Sequence, residues 1–404
     1  MFSKTRGFTL IELLIVIAIL AVLASVTIIA INPVEIFKRT RDSQRITELK
    51  SLNDALNIYE TLTMGSITGS TTTVYLSLPD TNSNCSSYSL PTLPTGYSYH
   101  CVTADNLTKI NGSGWVPVDF TSLGISSPLN KLPIDPINNN QYYYTYISGG
   151  SFMLTALMES TNNTVYQQAI NDGGLMPGVF EIGTNLKLGP FTRDNGLVGY
   201  WKFDETSGTL YDYSGYNNHG TPYGGVTYGV QGKVNNALSF DGIDDYVIIG
   251  TGTNYFPMSK FVLCAWIKSS EIGTASTSRG IISITYGLNL YLNTTDNLYF
   301  RMNINPSTEN FVYINYSQNL LDVNQHFVCA SYDGTNVNLF IDGALKKSQV
   351  VSWGGTTHWP TSYAAIGWDV NSSPWKFKGL IDEVRIYNRL LSEDEVRAIY
   401  ESTK

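Results

Sequence analysis

The feature that most constrains this chain is its opening apolar run. From Phe8 to Ile31 nearly every residue is apolar, and the run carries one acid, Glu12. About two dozen such residues span a bilayer as a helix. A secretory signal peptide has a shorter apolar core, roughly 7–15 residues, and a small-x-small cleavage site. The run is too long for that, and Glu12 interrupts it. A plain anchor explains the length but not the acid, which at a helix centre costs roughly 2.5–3.5 kcal/mol even on the lenient insertion scale.

The stretch "RGFTLIELLIVIAIL" resembles the class III signal of type IV pilins and pseudopilins. The resemblance implies cleavage after Gly7 by a prepilin peptidase on the cytoplasmic face, then N-methylation of Phe8. It also implies that Glu12 faces the new terminal amine of a neighbouring subunit in the assembled filament. Glycine suits the position before the cut because the backbone there is open to close approach. Lys4 and Arg6 hold the leader on the cytoplasmic side, although Lys38, Arg39 and Arg41 follow the span and blunt the charge asymmetry. A charge left unpaired in an apolar bundle costs about 3–5 kcal/mol, so a Glu12–amine pair fixes register more than it adds stability. On this reading residues 1–7 are a cleaved leader and 8–31 a transmembrane helix that becomes the filament core. The protein starts as a single-pass membrane protein, and its C-terminal domains lie outside the cytoplasm.

Asn32 and Pro33 mark a kink where the helix leaves the membrane. Beyond them Ile36, Phe37, Ile46, Leu49, Leu52, Leu56 and Tyr59 recur at three-to-four spacing. Arg45 with Glu48, and Asp42 with Arg45, stand at i,i+3 and read as decoration of a solvated face. The apolar stripe requires a partner surface. Residues from about Met64 to Gly183 supply one, with "STTTVYLSLP", "YSYHCVTAD", "NQYYYTYISGG" and "SFMLTALMEST" as short strands between turns. This resembles a pilin head, a small antiparallel sheet on a long helix, and gives a pilin-like unit over 32–183. Some pseudopilins bind calcium in the closing loop. Asp135, Asn138 and Asn139 are placed for that, but turn formation is the simpler role.

With 404 residues the chain has room for two or three domains. Only 14% of residues are charged and the net charge is -8, so there is no basic footprint for nucleic acid. The 27 tyrosines and 35 glycines suit short strands and turns. Four cysteines behind a membrane-targeting start favour disulfides, and no C-x-x-C spacing suggests zinc or redox chemistry. A Cys85–Cys101 bridge closes a loop of about 15 residues, worth roughly 3 kcal/mol in the chain-entropy model.

Residues 184–196 break into Gly, Pro and polar residues and read as a linker. From Leu197 onward, alternating strands and the Asp-Gly turns Asp333-Gly334 and Asp342-Gly343 indicate a two-sheet sandwich over 197–404. "YWKFDE", "SFDG", "FVLCAWIK", "YDGTNVNLFIDG" and "IDEVRIYNRLLS" occur in the order of laminin-G-like, concanavalin-A-type jelly rolls, which this module resembles. The resemblance implies a second disulfide, Cys264–Cys329, the pair bridged in pentraxins. Ser392 and Glu395 form a capping box for a last helix, with Leu391 and Val396 as its hydrophobic staple. The fold class is thus an α+β pilin followed by an all-β jelly-roll sandwich.

Some enzymes with this sandwich use carboxylates alternating along one strand, and no such run occurs. Asp244-Asp245 and Asp382-Glu383 are adjacent, which on a regular strand sends their side chains to opposite faces. His100, His219, His326 and His358 are scattered without ligand or triad spacing, so no enzyme activity is expected. Trp353, Trp359, Trp368 and Trp375 crowd one region and are candidates for stacking on sugar rings. Asp212, Asn217, Asn218, Asp382 and Glu383 are candidate calcium ligands near strands expected to meet, although Asx turns explain much of the first group.

The expected function is a pilin-like filament subunit displaying an adhesive, carbohydrate- or protein-binding domain. Its partners are other pilin subunits, the prepilin peptidase, the membrane before assembly, and a surface glycan or protein. The alternatives are a secretion-type pseudopilin contacting cargo and a membrane-anchored sugar receptor.

Overall fold

A computed structural model describes residues 10–19 and most of 33–404. It leaves out 1–9, 20–32, 65–68, 92, 94–95, 125, 149, 161–163, 175, 187, 189–195, 252–254, 256–258, 271–276, 285–286, 306–309, 318–319, 321–323, 352–362 and 371–374. Gly7 and Phe8 lie outside the described residues. Glu12 sits on a helical segment over 10–19 (α1) whose apolar side chains are exposed. No described helix is long and apolar enough to cross a membrane.

Helix α2 runs Pro33–Leu62, with proline in the first turn, where its missing N–H leaves no helical bond unmade. Ile46, Leu49, Leu52, Ala55, Leu56 and Tyr59 are buried, whereas Ile36 and Phe37 are exposed. The buried stripe lies on a sheet of β1 (Thr73–Pro79), β2 (Ser98–Val102), β3 (Tyr144–Ser148), β4 (Phe152–Leu157) and β5 (Val179–Gly183), in the order β2-β1-β3-β4-β5. Tyr144, Tyr146 and Leu154 face the helix. Tyr143, Ile147 and Met153 face the other way, under the Cys85–Cys101 bridge.

Two expectations need correction here. The sheet is not wholly antiparallel, because β1 and β2 pair in parallel from Thr73↔Ser98 to Pro79↔Val102. The disulfide loop doubles back between them, so β2 re-enters in the direction of β1. Asp42 and Arg45 are not on a solvated face either; both are fully buried. The Arg45 guanidinium donates to Asp135 (2.7 and 2.9 Å), Asp42 (2.8 Å) and Glu159 (2.6 Å), and Arg41 adds a 2.7 Å bond to Glu159. Asp42 in turn accepts the backbone N–H groups of Glu159 and Ser160, each at 2.9 Å. Burial works against the Arg45 charge, but the hydrogen bonds and charges of Asp135 and Glu159 outweigh it and raise its pKa. The i,i+3 spacing could not show that the sheet unit delivers two more carboxylates to complete the group.

The second unit is a two-sheet sandwich. One sheet has the order β15-β14-β13-β12-β19-β10-β7. Its strands are β7 (Thr221–Tyr223), β10 (Tyr246–Thr251), β12 (Arg279–Ile284), β13 (Leu288–Leu292), β14 (Leu298–Asn305), β15 (Asn310–Tyr316) and β19 (Tyr363–Ile366). The other has the order β18-β17-β16-β11-β20-β9-β8, with β6 beside β20. It comprises β6 (Leu197–Trp201), β8 (Thr227–Gln231), β9 (Asn236–Asp241), β11 (Phe261–Ser269), β16 (His326–Tyr332), β17 (Asn336–Ile341), β18 (Ala344–Val350) and β20 (Lys378–Tyr387). Alternate residues such as Val247, Ile249, Leu263, Leu290, Phe300, Leu339 and Ile381 fill the space between the sheets. Cys264 and Cys329 are directly opposite on β11 and β16 and are bridged. Asp342 and Gly343 both take positive φ in a two-residue hairpin, as the Asp-Gly signal predicts.

Helix α3 (Tyr166–Ile170) belongs to the first unit, and α4 (Glu393–Thr403) closes the chain. The Ser392–Glu395 capping box is present, and α4 lays Val396 and Ile399 on Trp266, Phe327 and the Cys264–Cys329 bridge. Its Glu395 also accepts the Tyr166 hydroxyl at 2.7 Å, and Ala398 packs against the helix–sheet core. The last helix therefore touches both units.

Arg45→Met leaves the buried Asp42 and Asp135 carboxylates without their cation, while Glu159 keeps Arg41. It is expected to destabilise the first unit by about 3–5 kcal/mol, read as a lower urea midpoint, with little recovery in Arg45→Lys, which lacks the planar fork.

Candidate functional site

The seven-stranded sheet turns an aromatic row outward. Val247 and Ile249 point into the core, which sends Tyr246 out; Leu290 and Leu292 do the same for Tyr291, and Leu298 and Phe300 for Tyr299. Tyr246 pairs in register with Tyr223, and Tyr291 with Tyr299. Between these pairs lies Gly280, where a Cβ would sit 2.3 Å from the Asp369 nitrogen. That missing side chain leaves room for the Trp368 and Asp369 backbone on the sheet face, and Gly280 N–H donates to the Trp375 carbonyl at 3.3 Å. The Tyr223 and Tyr246 rings stack at 4.9 Å and 8°, and Trp368 lies 4.9 Å from Tyr246. On the far side Trp375 lies 5.4 Å from Tyr291, which lies 5.5 Å from Tyr299. Six rings thus cross the sheet.

Beside the row is a buried polar group. Ser283, Asn289 and Arg301 occupy one register line, Ser283↔Asn289↔Arg301. Arg301 donates to both Asp369 oxygens at 3.1 and 3.3 Å, and its side chain lies under Trp375, 5.9 Å from the ring. The neighbouring groups orient the Asn289 amide so that its nitrogen donates to Asp369 at 3.1 Å and its oxygen accepts from Arg301 at 2.7 Å. Arg301 is therefore charge-balanced and already hydrogen-bonded, so it holds the Trp375 side of the face in place. Lys376, bridged to Trp368 across the same segment, is buried between Tyr246 and Trp368, and burial pulls its pKa down to about 8 against the opposing pull of Asp244 and Asp245. Flat rings flanked by hydroxyl and amide groups suit a ligand with C–H faces and hydroxyl rims.

Among the tryptophans singled out from the sequence, Trp368 and Trp375 are in this row, and Trp353 and Trp359 lie outside the described residues. The tyrosines of the row were not identified from the sequence. The available signal was period-two alternation in "LNLYL" and "NLYFRM", which sends each tyrosine outward; which strands are neighbours is not readable from it.

Two family models match the chain: a prokaryotic N-terminal methylation motif over residues 2–28, and the concanavalin A-like lectin/glucanases superfamily over 241–397. The chain carries a type IV pilin signal and a concanavalin A-like domain. Solved structures similar to it include the receptor binding domain of botulinum neurotoxin C/D mosaic serotype, at 18% identity and a TM-score of 0.41, with 51% of each chain covered. The binding domain of botulinum neurotoxin serotype D gives 19%, 0.41 and 51% of each. Domain 4 of AbnA, an extracellular arabinanase from Geobacillus stearothermophilus in complex with arabinotriose, gives 20% and 0.39, covering 50% of this chain and 97% of that one. The chain spans about half the length of the toxin domains, and likenesses of this degree carry no function across. No curated protein matches.

The concanavalin A-like domain does not gather the candidate calcium ligands into one cage. Asp212 accepts the backbone N–H groups of Tyr200, Ser214 and Asn218, each at 2.9 Å, and the Asn218 amide donates to the Val198 carbonyl. Asn217 takes a left-handed turn conformation, φ 61°. Asp382 accepts from the Lys233 and Val234 N–H groups at 2.8 and 3.0 Å, while Glu383 accepts from Tyr200 (2.6 Å) and Arg385 (2.9 Å). One oxygen of Asp382 and one of Glu383 are buried without a hydrogen-bond partner, but among the described residues the carboxylates of Asp212, Asp382 and Glu383 do not converge to within 4.8 Å of one another. Asp135 and Asn139 likewise accept backbone N–H groups in their own turns. The four predicted disulfide cysteines are paired as Cys85–Cys101 and Cys264–Cys329.

Asp382 and Glu383 do not point to opposite faces of their strand, as their adjacency would predict. Glu383 takes φ 53° in a β-bulge where β20 shifts register against β11. Ile381 and Val384 both remain in the core, so the bulge leaves both acids on the outer face. Asp244 and Asp245 are not held apart either, since they stand in a turn. With Asp241 they form the one group of three acidic side chains, among the described residues, whose ligand atoms lie within 4.8 Å of one another.

Burial, then the neighbouring Glu383 charge, pushes the Asp382 pKa up to about 8. The folded chain thus holds a proton there that the unfolded chain releases near the ordinary carboxylate value. The associated stability is full below that value and is lost as pH rises through about 8. Melting temperature is expected to fall between pH 5 and pH 8, and Asp382→Asn, which keeps an acceptor for both N–H groups, to flatten that fall.

Proposed function

We propose that this chain is a type IV pilin-like filament subunit that displays a glycan-binding sandwich at the cell surface. The observation that carries the reading is the joining of an N-terminal methylation motif to a concanavalin A-like domain in one chain. The motif supplies assembly. A peptidase cut after Gly7 exposes Phe8 as a methylated amine, and the Glu12 carboxylate of a neighbouring subunit takes up that charge inside the apolar bundle. The long helix clamped to its five-stranded sheet serves as the pilin head. The exposed Ile36 and Phe37 lie on the part of α2 beyond the head, where helices of adjacent subunits meet.

The sandwich supplies binding, through the aromatic row on its outer sheet. No step of bond-breaking chemistry is needed for this role. Two disulfides suit a protein that works outside the reducing cytoplasm.

Mass spectrometry of sheared filaments is expected to find a mature chain that begins with N-methylated Phe8. Glu12→Ala is expected to stay in the membrane and to fall at least tenfold in the filament fraction. An intact leader, or normal incorporation of the variant, contradicts the assembly half of the reading.

A further inference from the structure

Lys376 is nine-tenths buried, with 9% of its surface exposed. Its ammonium sits 3.8 Å from the centroids of both Tyr246 and Trp368. Ring faces attract a cation but do not replace the acceptors that three N–H groups require. Among the described residues the Lys376 ammonium has no hydrogen-bond acceptor and no ion pair. The buried Trp368 Nε1–H likewise has no hydrogen-bond partner among the described residues.

Unused acceptors lie within electrostatic reach of Lys376. Asp244 and Asp245 are near enough to act on the Lys376 charge. Asp245 spends one oxygen on the Asp241 N–H at 2.8 Å, and the Asp244 carboxylate accepts no hydrogen bond among the described residues. The turn after Tyr223 is pressed against this group, since a Cβ on Gly224 would lie 2.3 Å from the Asp244 carbonyl oxygen. Tyr223 itself is 46% exposed, so its stack on Tyr246 opens to solvent beside the acids.

The ligand that satisfies this arrangement has to donate and accept at once, and to offer an apolar face. A metal cation would meet the carboxylates but leave Lys376 and Trp368 unsatisfied. An anionic ligand would meet Lys376 but confront three carboxylates with one ammonium. A ring bearing several hydroxyls meets both sets, and its C–H face lies against Tyr223.

We propose that Lys376, Trp368, Asp244 and Asp245, with the Tyr223–Tyr246 stack, form a subsite for one ring of a neutral polysaccharide and discriminate against acidic glycans. This rests on the glycan-binding reading above and gives it a ligand class. The test uses the full chain in detergent, immobilised and titrated with galactomannan and dextran as neutral probes and with polygalacturonate and heparin as acidic ones. At least one neutral probe is expected to bind ten or more times tighter than either acidic probe. Tyr223→Ala and Lys376→Met are each expected to weaken that binding at least tenfold. Tyr223 is exposed, so its variant keeps the test decisive should Lys376→Met lose its near-ultraviolet dichroism. Acidic probes binding as tightly as neutral ones, or neutral binding indifferent to both variants, would overturn the subsite while leaving glycan binding intact. No binding of any probe would remove the glycan reading itself, and the subsite with it.

Discussion

A buried guanidinium decides how the first half of this protein is put together. Arg45 sits inside the helix–sheet interface with Asp42 from its own helix and Asp135 and Glu159 from the sheet unit. None of these groups tolerates burial alone, so the helix and sheet are stable only in the register that pairs them. Leu49, Leu52 and Leu56 then supply the apolar contact, but they would accept a slide of one helical turn more readily than the fork of Arg45 does. The clamp fixes where the sheet unit stands on the helix. The last helix, through Tyr166–Glu395 and Ala398, adds a second contact between that unit and the sandwich.

In the sandwich the constraint is period-two alternation working across seven strands. The inward residues make a continuous core, and their outward neighbours are brought into line by register alone. Tyr223, Tyr246, Tyr291 and Tyr299 meet as rings because their strands pair as they do. One glycine, Gly280, opens the gap in which the two tryptophans complete the row. Arg301 and Asp369 neutralise each other beneath it, so the charge left on this part of the face is the Lys376 and aspartate group.

Much of this was legible in the chain itself. The apolar run with its single acid, the 3.6-residue stripe, the alternating strands, the Asp-Gly turn and the capping box are all local patterns, and local patterns survive without knowledge of the fold. What could not be read depends on distant pairings. Arg45 looked solvent-facing because Asp135 and Glu159 are 90 and 114 residues away. Asp382 and Glu383 looked opposed because a bulge inserts its extra residue without a sequence mark of its own. The parallel pairing of β1 with β2 follows from the path of a disulfide-closed loop, and the tyrosines of the row lie on strands whose adjacency is set by topology. Trp368 and Trp375 were found by composition, but the rings around them were not.

The proposed function joins assembly to binding, with processing building a filament that would present a sugar-binding face. The most direct measurement is the capture of labelled galactomannan by sheared surface fractions from cells with and without the prepilin peptidase, at equal total amounts of this chain. Capture is expected in the fraction from peptidase-containing cells and is expected to be lost where filaments do not form. Equal capture in both, or capture that stays with the membranes while the filaments carry none, would contradict it.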